Sequence, residues 1–331
     1  MARLPIEVHR GDLRIAGSAL FLDARRRSPC AFISHAHGDH LARHDRTIAT
    51  AATLALARHR LGARAEKGEA LPARYGERFG LGELDIELFP AGHVLGSAQI
   101  RVRKNGATVC YTGDLCTDET LTAEPAQVVP CDVLVVESTF GKPRYVFPPK
   151  REVLARIREF VDDAISEGAT PVLLGYALGK AQEILRFLAG ECGYRCRAHP
   201  AVHAVNRIYE SLGTSLGPVM LLDDEEPPAP GEVVVAPPHL ARSGPLRRIR
   251  KRRTAMLTGW AVDGARWFRN VDASFPLSDH ADFPSLMRYV KATGAGRVFT
   301  VHGYADELAQ ALRREGIRAE PLAEKMQLEL L

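Results

Sequence analysis

The sequence lacks the features that mark several classes of protein. No apolar run approaches the ~18 residues that a membrane-spanning helix needs. The start of the chain does not show the basic-then-apolar pattern of a secretory signal. Its six cysteines include no CxxC pair, and a chain of 331 residues needs no disulfide framework. We therefore expect a cytoplasmic protein with free thiols and no membrane partner.

Neither sign of charge dominates, and aromatic residues are few. The chain has 44 basic and 40 acidic residues, and a net charge of +4 neither requires nor excludes a polyanionic partner. Aromatic residues make up 7% of the chain, which argues against an extended base-stacking surface and favours backbone contacts to any nucleic acid. Hydrophobic residues reach 46%, which excludes wholesale disorder, and the length predicts about two domains.

The pattern of apolar residues changes along the chain. Residues 1–142 show short apolar stretches broken by Gly and Asp, which predicts strands and tight turns. An amphipathic helix is predicted over Lys150–Glu167, and helices then alternate with strands as in a small parallel α/β layer. After about residue 258, short apolar stretches separated by turns return. We therefore predict one domain, 1–142 and 259–331, that is split by an inserted domain, 143–258.

The densest chemical signal is a histidine-rich loop after an apolar strand. His35, His37, Asp39 and His40 lie within six residues. Alternate residues of an extended segment point the same way, so His35 and His37 can bind one cation. Asp39 and His40 can then reach a second cation beside it. Imidazole together with carboxylate suits zinc, manganese or iron.

Two metal ions need more donors than this loop supplies. His93 lies in a glycine-flanked loop, and Asp114 follows the end of another strand. A carboxylate can bridge two cations about 3.5–4 Å apart, as two-metal hydrolysis requires. Such cations would lower the pKa of a bound water to about 7 and so provide hydroxide as the nucleophile. Either residue alone could have a purely structural role in a turn. Because the histidine-rich loop is also present, we predict that both are ligands.

The order of these motifs resembles the metallo-β-lactamase superfamily. Its pattern is His-x-His-x-Asp-His, then an isolated His, then Gly-Asp, and the resemblance implies an α/β protein, a four-layer αββα sandwich with a dinuclear site at one edge. Glu137 at a strand end, Asp279-His280 and Val301-His302-Gly303 resemble the additional motifs of its β-CASP nucleases. The resemblance implies that 143–258 is a β-CASP cap domain inserted into the metallo-β-lactamase catalytic domain.

The resemblance also implies a complete site for two divalent transition-metal ions, zinc or manganese, with iron as an alternative. Asp114 would lie between the ions, and Asp23 would orient ligands, although it could instead cap a turn. Glu137 would hydrogen-bond to His280, which would face the scissile phosphate as a proton donor. Asp39 would also orient or deprotonate the water. The ligands of the first ion would be His35, His37 and His93, and those of the second Asp39, His40 and His302.

A basic run near the end of the inserted segment is a candidate for phosphate contacts. Residues 247–253 hold six cations in seven positions. Lys180 follows a glycine turn at a predicted helix start, which favours anion binding. The alternative for the basic run is a solvated face without a ligand. We predict phosphate contacts from five residues: Lys180, Arg242, Arg250, Arg252 and Arg253.

Two further motifs favour one branch of the β-CASP group. Gly175–Gln182 and Pro276–His280 are similar to motifs of bacterial ligase-associated DNA exonucleases, relatives of the mRNA 3′-end processing nuclease. This resemblance implies a DNA exonuclease in repair, with DNA favoured over RNA as partner and with association with DNA ligase or helicase repair proteins. The alternatives are an RNA-processing ribonuclease, exo or endo, and a catalytically inactive nucleic-acid-binding protein. The presence of all the candidate ligands argues against inactivity.

Overall fold

The chain divides into two compact units. The first unit comprises Met1–Glu119, Ala123–Val146 and His280–Leu331, and the second comprises Thr120–Thr122 and Phe147–Asp279. The structure, a computed structural model, describes residues 5–62, 68–223, 225–242, 244–264 and 270–322.

The first unit is built on two mixed β-sheets. Six strands form one sheet, in which they are adjacent in chain order: β1 (Ile6–His9), β2 (Asp12–Ile15), β3 (Leu20–Leu22), β4 (Cys30–Phe32), β5 (Arg46–Ala49) and β6 (Glu69–Pro72). Seven strands form the other: β7 (Arg78–Leu81), β8 (Leu84–Pro90), β9 (Ala98–Lys104), β10 (Ala107–Tyr111), β11 (Val133–Glu137), β18 (Arg297–Val301) and β19 (Ala319–Pro321). Its order is β19-β18-β11-β10-β9-β8-β7. Strands β12 to β17 belong to the second unit.

The two sheets of the first unit pack face to face. Along β8, every second residue is buried, and this alternation is typical of a strand with one face in a core. The core between the sheets joins Phe32 and Ile48 of the first sheet to Ile86, Ile100 and Val135 of the second. Each sheet has an apolar face, and both faces leave water by packing on each other.

Helices cover the outer faces of both sheets. Helix α1 (Ala51–Leu61) packs Leu54 on the outer face of the six-stranded sheet. Helices α5 (Phe283–Thr293) and α6 (Ala305–Arg314) pack Leu286, Leu308 and their neighbours on the outer face of the seven-stranded sheet. The predicted four-layer αββα sandwich is therefore confirmed.

Local sequence sets both ends of α5. The Asp282 carboxylate accepts a hydrogen bond from the Ser285 N–H at 2.9 Å, and Pro284 lies in the first turn, where a missing N–H costs nothing. The helix ends at Gly294, whose left-handed φ of +67° suits glycine. Because Asp282 follows His280 by two residues, this cap also restrains the turn that carries His280.

The second unit is a parallel α/β layer, as predicted. Helices α2 (Lys150–Ser166), α3 (Lys180–Leu185) and α4 (Pro200–Ser211) pack on one face of its sheet, and Leu246 and Ile249 pack on the other. The strands are β12 (Thr170–Leu174), β13 (Cys196–Ala198), β14 (Val219–Leu221), β15 (Val233–Ala236), β16 (Arg252–Leu257) and β17 (Ala273–Phe275). Their order is β14-β13-β15-β12-β16-β17, with all neighbours parallel. Among the described helices of the whole chain, none is long and apolar enough to cross a membrane.

The end of the inserted unit differs from the predicted boundary at 258. The second unit extends to Asp279. The reason is β17, which pairs in parallel with β16 and completes the sheet. A strand of three residues is too short for its apolar pattern to indicate which sheet it joins.

Candidate metal centre

Four candidate functional residues lie at one edge of the seven-stranded sheet. Strands β8, β10, β11 and β18 run in the same direction, so their carboxyl ends meet at that edge. His93, Asp114 and His302 follow β8, β10 and β18, and Glu137 is the last residue of β11. The histidine-rich loop follows β4 of the other sheet. Strand ends on a rigid scaffold are places where loops carry function.

Three imidazoles converge in the first of two donor groups. His37 Nδ1 lies 3.0 Å from His35 Nε2 and 3.0 Å from His93 Nε2. The ligand atoms of these three residues and Asp114 all lie within 4.8 Å of one another. Burial and the neighbouring imidazoles hold the pKa of His35 well below its ordinary value. The ring is therefore neutral, which is the form that binds a metal ion.

A second donor group lies beside the first. His40 Nε2 is 3.6 Å from Asp39 Oδ2, and the His40 ring centroid is 5.4 Å from that of His302. Burial lowers the pKa of His302 to about 4. Its Nε2 atom is buried without a hydrogen-bond partner among the residues that the structure describes. Such an atom costs free energy unless a ligand satisfies it, and a metal ion would do so.

Asp114 contacts both groups. Its Oδ2 lies 3.4 Å from His35 Nε2 and 3.6 Å from His93 Nε2, and its Oδ1 lies 3.4 Å from His40 Nε2. Burial raises the pKa of Asp114 to about 7. A carboxylate in this position needs nearby positive charge to remain ionised. The geometry is that of a carboxylate shared by two cation sites.

Asp23 holds His40 in place from behind. Its Oδ2 lies 2.8 Å from His40 Nδ1 and accepts hydrogen bonds from the Tyr111 hydroxyl at 2.8 Å and the Ser34 hydroxyl at 2.5 Å. Its Oδ1 accepts a further bond from the Ser34 N–H at 2.6 Å. Because Nδ1 of His40 is bonded to this carboxylate, the opposite ring nitrogen, Nε2, faces Asp114 and the other donors. This geometry is what the predicted orienting role of Asp23 requires.

Glu137 and His280 form a pair next to these donors. His280 Nδ1 lies 3.0 Å from Glu137 Oε1, and the Leu115 N–H donates to the same oxygen at 2.7 Å. Although burial acts to raise it, the pKa of Glu137 is lowered to about 2 by His280 and these hydrogen bonds. The ring centroid of His280 is 4.6 Å from that of His93. The pair therefore places an oriented imidazole beside the first donor group.

Comparisons with known proteins identify the family. A β-lactamase superfamily domain matches residues 22–164, and a Zn-dependent metallo-hydrolase RNA specificity domain matches residues 273–320. The chain is 41% identical over 312 residues to a probable DNA ligase of Opitutus terrae, which covers 94% of this chain and 30% of that protein. The chain belongs to the metallo-β-lactamase superfamily, in its β-CASP nuclease group.

Other relatives of this β-CASP protein are named for RNA. It is 34% identical over 113 residues to an RNase J-like protein of Methanocaldococcus jannaschii, a match covering 34% of this chain and 27% of that protein. It is 25% identical over 294 residues to cleavage and polyadenylation specificity factor subunit 3 of Dictyostelium discoideum, covering 72% of this chain and 37% of that protein. The chain thus spans about a third of the length of these three relatives.

The donor groups fit the divalent ions that this superfamily uses. His37 Nδ1 faces two imidazole nitrogens at 3.0 Å, and a nitrogen with at most one proton cannot donate to both. A cation among the three would satisfy all of them at once. The unpartnered Nε2 of His302 and the shared carboxylate of Asp114 make the same case for a second ion. Nitrogen donors with carboxylate oxygens match zinc or manganese.

Replacing Asp23 with alanine is expected to weaken metal binding by about 10- to 100-fold, because His40 then loses the carboxylate that orients it. A competition titration with a chromophoric chelator measures this. Asp12→Ala is the matched control, since Asp12 is also buried but accepts its hydrogen bond from the Arg25 N–H, away from the donor groups. Equal metal affinity in the wild type and Asp23→Ala would contradict the orienting role.

Three of the five residues predicted to bind phosphate pair with acceptors of the protein itself. Lys180 is 4% exposed and donates to Asp279 Oδ1 at 2.6 Å. Arg252 donates to the Leu246 carbonyl at 2.7 Å, and Arg253 pairs with a Glu167 carboxylate at 3.0 Å. The prediction for these three residues is therefore corrected, because their cationic groups bind acceptors of the protein itself.

The other two predicted phosphate contacts, Arg242 and Arg250, are exposed, as is their neighbour Arg248. They remain candidates for a contact with nucleic acid. Tyr111, which donates a hydrogen bond to Asp23, is not predicted from the sequence to be a functional residue. A tyrosine at the end of a buried strand has the pattern of a core residue, and no sequence signal distinguishes the two roles.

Proposed function

We propose that this protein is a dinuclear metal-dependent phosphodiesterase that acts on DNA as an exonuclease in repair. The observation that carries the proposal is the pair of donor groups joined by Asp114, with His280 beside them. We assign the first ion to His35, His37 and His93, and the second to Asp39, His40 and His302. Divalent cations held there would stabilise negative charge on the phosphate and supply a nucleophile at neutral pH.

The residues around the donor groups provide the proton transfers. Asp39 lies on the more open side of the second group, with 38% of its side chain exposed, and there it orients the attacking water and accepts its proton. His280 donates a proton to the departing oxygen. The Glu137 carboxylate beside Nδ1 favours the protonated ring and sets its orientation, so that Nε2 is the atom that donates.

The choice of DNA rests on similarity. The match that covers 94% of this chain is to a protein named a probable DNA ligase. That similarity also supports action together with a DNA ligase. Co-purification of the two proteins from cells would test this association. A ribonuclease is the second candidate, because residues 273–320 match a domain described as an RNA specificity domain.

Digestion of 5′- and 3′-labelled DNA and RNA oligonucleotides by the metal-reconstituted protein tests the proposed function. We expect release of mononucleotides from one end of DNA and slower cleavage of RNA of the same sequence. Asp114→Ala protein, purified in parallel, shows whether a contaminating nuclease is responsible. Internal cleavage of RNA would support the ribonuclease instead, and no cleavage of either polymer would contradict both.

Exposed arginines of the second unit should contribute to binding through phosphate contacts. Neutralising Arg242, Arg248 and Arg250 is expected to weaken binding without changing the rate at saturating substrate. For each arginine–phosphate pair that is removed, the slope of log K against log salt should fall by about 0.7 for single strands and about 0.9 for duplex. Fluorescence anisotropy over a salt series measures both quantities.

A second triple variant controls for the change in net charge. Arg103, Arg314 and Arg318 are exposed residues of the first unit, and their neutralisation removes the same number of cations. We expect this control to keep the wild-type salt slope. If the two triple variants behave alike, the effect is one of overall charge and the assigned contacts are wrong.

A further inference from the structure

We propose that Tyr176 and Trp260 form a base-stacking site for single-stranded DNA on the second unit. This inference rests on the proposed function, because it assigns part of the grip on a nucleic-acid substrate. It adds a local contact to bases, whereas the scarcity of aromatic residues in the sequence favours contacts to the backbone.

The two residues are the exposed aromatic side chains of the described part of the chain. Tyr176 is 61% exposed and Trp260 is 38% exposed, whereas every other described Phe, Tyr and Trp is buried or half-buried. Scattered exposed apolar residues are ordinary, so two exposed rings indicate an interaction site only where the fold brings them to the same place.

Tyr176 and Trp260 follow neighbouring strands of the parallel sheet. Tyr176 lies just after β12 and Trp260 just after β16, and these strands pair with each other. From β12 the chain continues to β13 on one side of the sheet, and from β16 it continues to β17 on the other. The two loops therefore diverge. In open parallel sheets, a crevice at such a point on the carboxyl edge is where ligands bind.

Hydrogen bonds hold the loop that carries Tyr176 in one conformation. The buried Gln182 side chain accepts a bond from the Gly179 N–H at 2.8 Å and donates to the Ala177 carbonyl at 3.0 Å. The Tyr176 carbonyl accepts from the Ala181 N–H at 3.1 Å. A loop fixed in this way presents its ring at little further entropic cost when a ligand binds.

Lys180 restrains the ring itself. Its ammonium group is buried, fixed by Asp279 at 2.6 Å, and lies 5.4 Å from the centroid of the Tyr176 ring. A cation at this distance attracts the ring. The lysine that the sequence analysis assigned to phosphate thus contributes to the position of an exposed aromatic ring.

Positive charge in the segment after β15 points to a polyanion as the occupant. The exposed Arg242 lies in the segment after β15, the strand that pairs with β12 on the side away from β16. A single strand of DNA offers both phosphates and the open faces of its bases, and each stacked base adds affinity with little dependence on sequence. In duplex DNA the base faces are covered by their neighbours, so the site selects single strands.

Binding of the full metal-loaded chain to a labelled phosphorothioate oligothymidylate tests the proposal. We expect Tyr176→Ala and Trp260→Ala each to weaken binding by about tenfold, and the double variant by about a hundredfold. The salt slope should remain that of the wild type, because stacking releases no counterions. Tyr176→Phe and Trp260→Phe keep a ring and should retain most of the affinity, and Leu212→Ala controls for loss of an exposed apolar side chain.

An abasic strand of the same length separates stacking from other causes. Wild-type protein should bind it about a hundredfold more weakly than oligothymidylate, and the double variant should bind the two strands alike. Wild-type affinity of the double variant for oligothymidylate would overturn this inference and leave the proposed function intact. If the double variant lost the same affinity for the abasic strand as for oligothymidylate, that result would also overturn the inference. Failure of the wild type to bind any DNA would contradict the proposed function itself.

Discussion

Asp114→Ala protein is expected to cleave nucleic acid no faster than background. Asp114 places one carboxylate oxygen 3.4 Å from His35 Nε2 and the other 3.4 Å from His40 Nε2, so its loss removes a donor from both cation sites at once. Neighbouring cations repel each other, and without the shared carboxylate that repulsion is no longer offset. We expect bound metal to fall from two ions to at most one per chain.

Rate and metal content of Asp114→Ala are measured on the same preparation, by single-turnover cleavage and by elemental analysis. Asp85→Ala is the matched control, since Asp85 is a partly buried aspartate of β8 in the same sheet. It should retain both metal and rate. An Asp114→Ala protein that keeps two ions would show that Asp114 does not bridge them.

His280→Ala is expected to retain both metal ions and to lose about 100- to 10,000-fold in rate, the range that general acid catalysis supplies. His280 lies beside His93, and its Nδ1 is bonded to Glu137, so it completes neither donor group in the assignment above. Its removal should therefore leave binding of DNA intact and slow only the chemical step. Single-turnover rates at saturating substrate measure this.

Two outcomes would revise the role of His280. The ligand atoms of Asp114, Glu137 and His280 also lie within 4.8 Å of one another, so loss of a metal ion in His280→Ala would make this histidine a ligand. An unchanged rate would remove it from the mechanism. His44→Ala is the control for loss of a largely buried imidazole, because His44 bonds to the Ser28 hydroxyl at 2.8 Å, away from the donor groups.

The apolar pattern of the sequence predicts helices and strands well, the resemblance to the metallo-β-lactamase superfamily supplies the order of the layers, and the failures have a physical reason. Alternation along β8 and the amphipathic pattern of α2 reflect which faces are buried, and burial is the strongest signal in a sequence. The boundary at 258 is wrong because β17 belongs to the sheet through its hydrogen bonds to β16. Backbone pairing of a short strand leaves little trace in side-chain type.

The metal ligands are also easier to predict from the sequence than the phosphate contacts. Histidines and carboxylates at strand ends are costly to bury, so their residue types alone predict a shared ligand. A basic run carries no such information. Arg252 and Arg253 pair with a backbone carbonyl and a carboxylate of their own chain, and sequence does not distinguish a guanidinium group paired within the protein from one that is available to a ligand.

Elemental analysis of the reconstituted wild-type protein tests the central claim most directly. The two donor groups, joined by Asp114, predict two transition-metal ions per chain. We expect that value after reconstitution with zinc or manganese and removal of weakly bound metal on a desalting column. A protein that retains no metal, or that saturates at one ion per chain, would contradict the dinuclear site and the mechanism built on it.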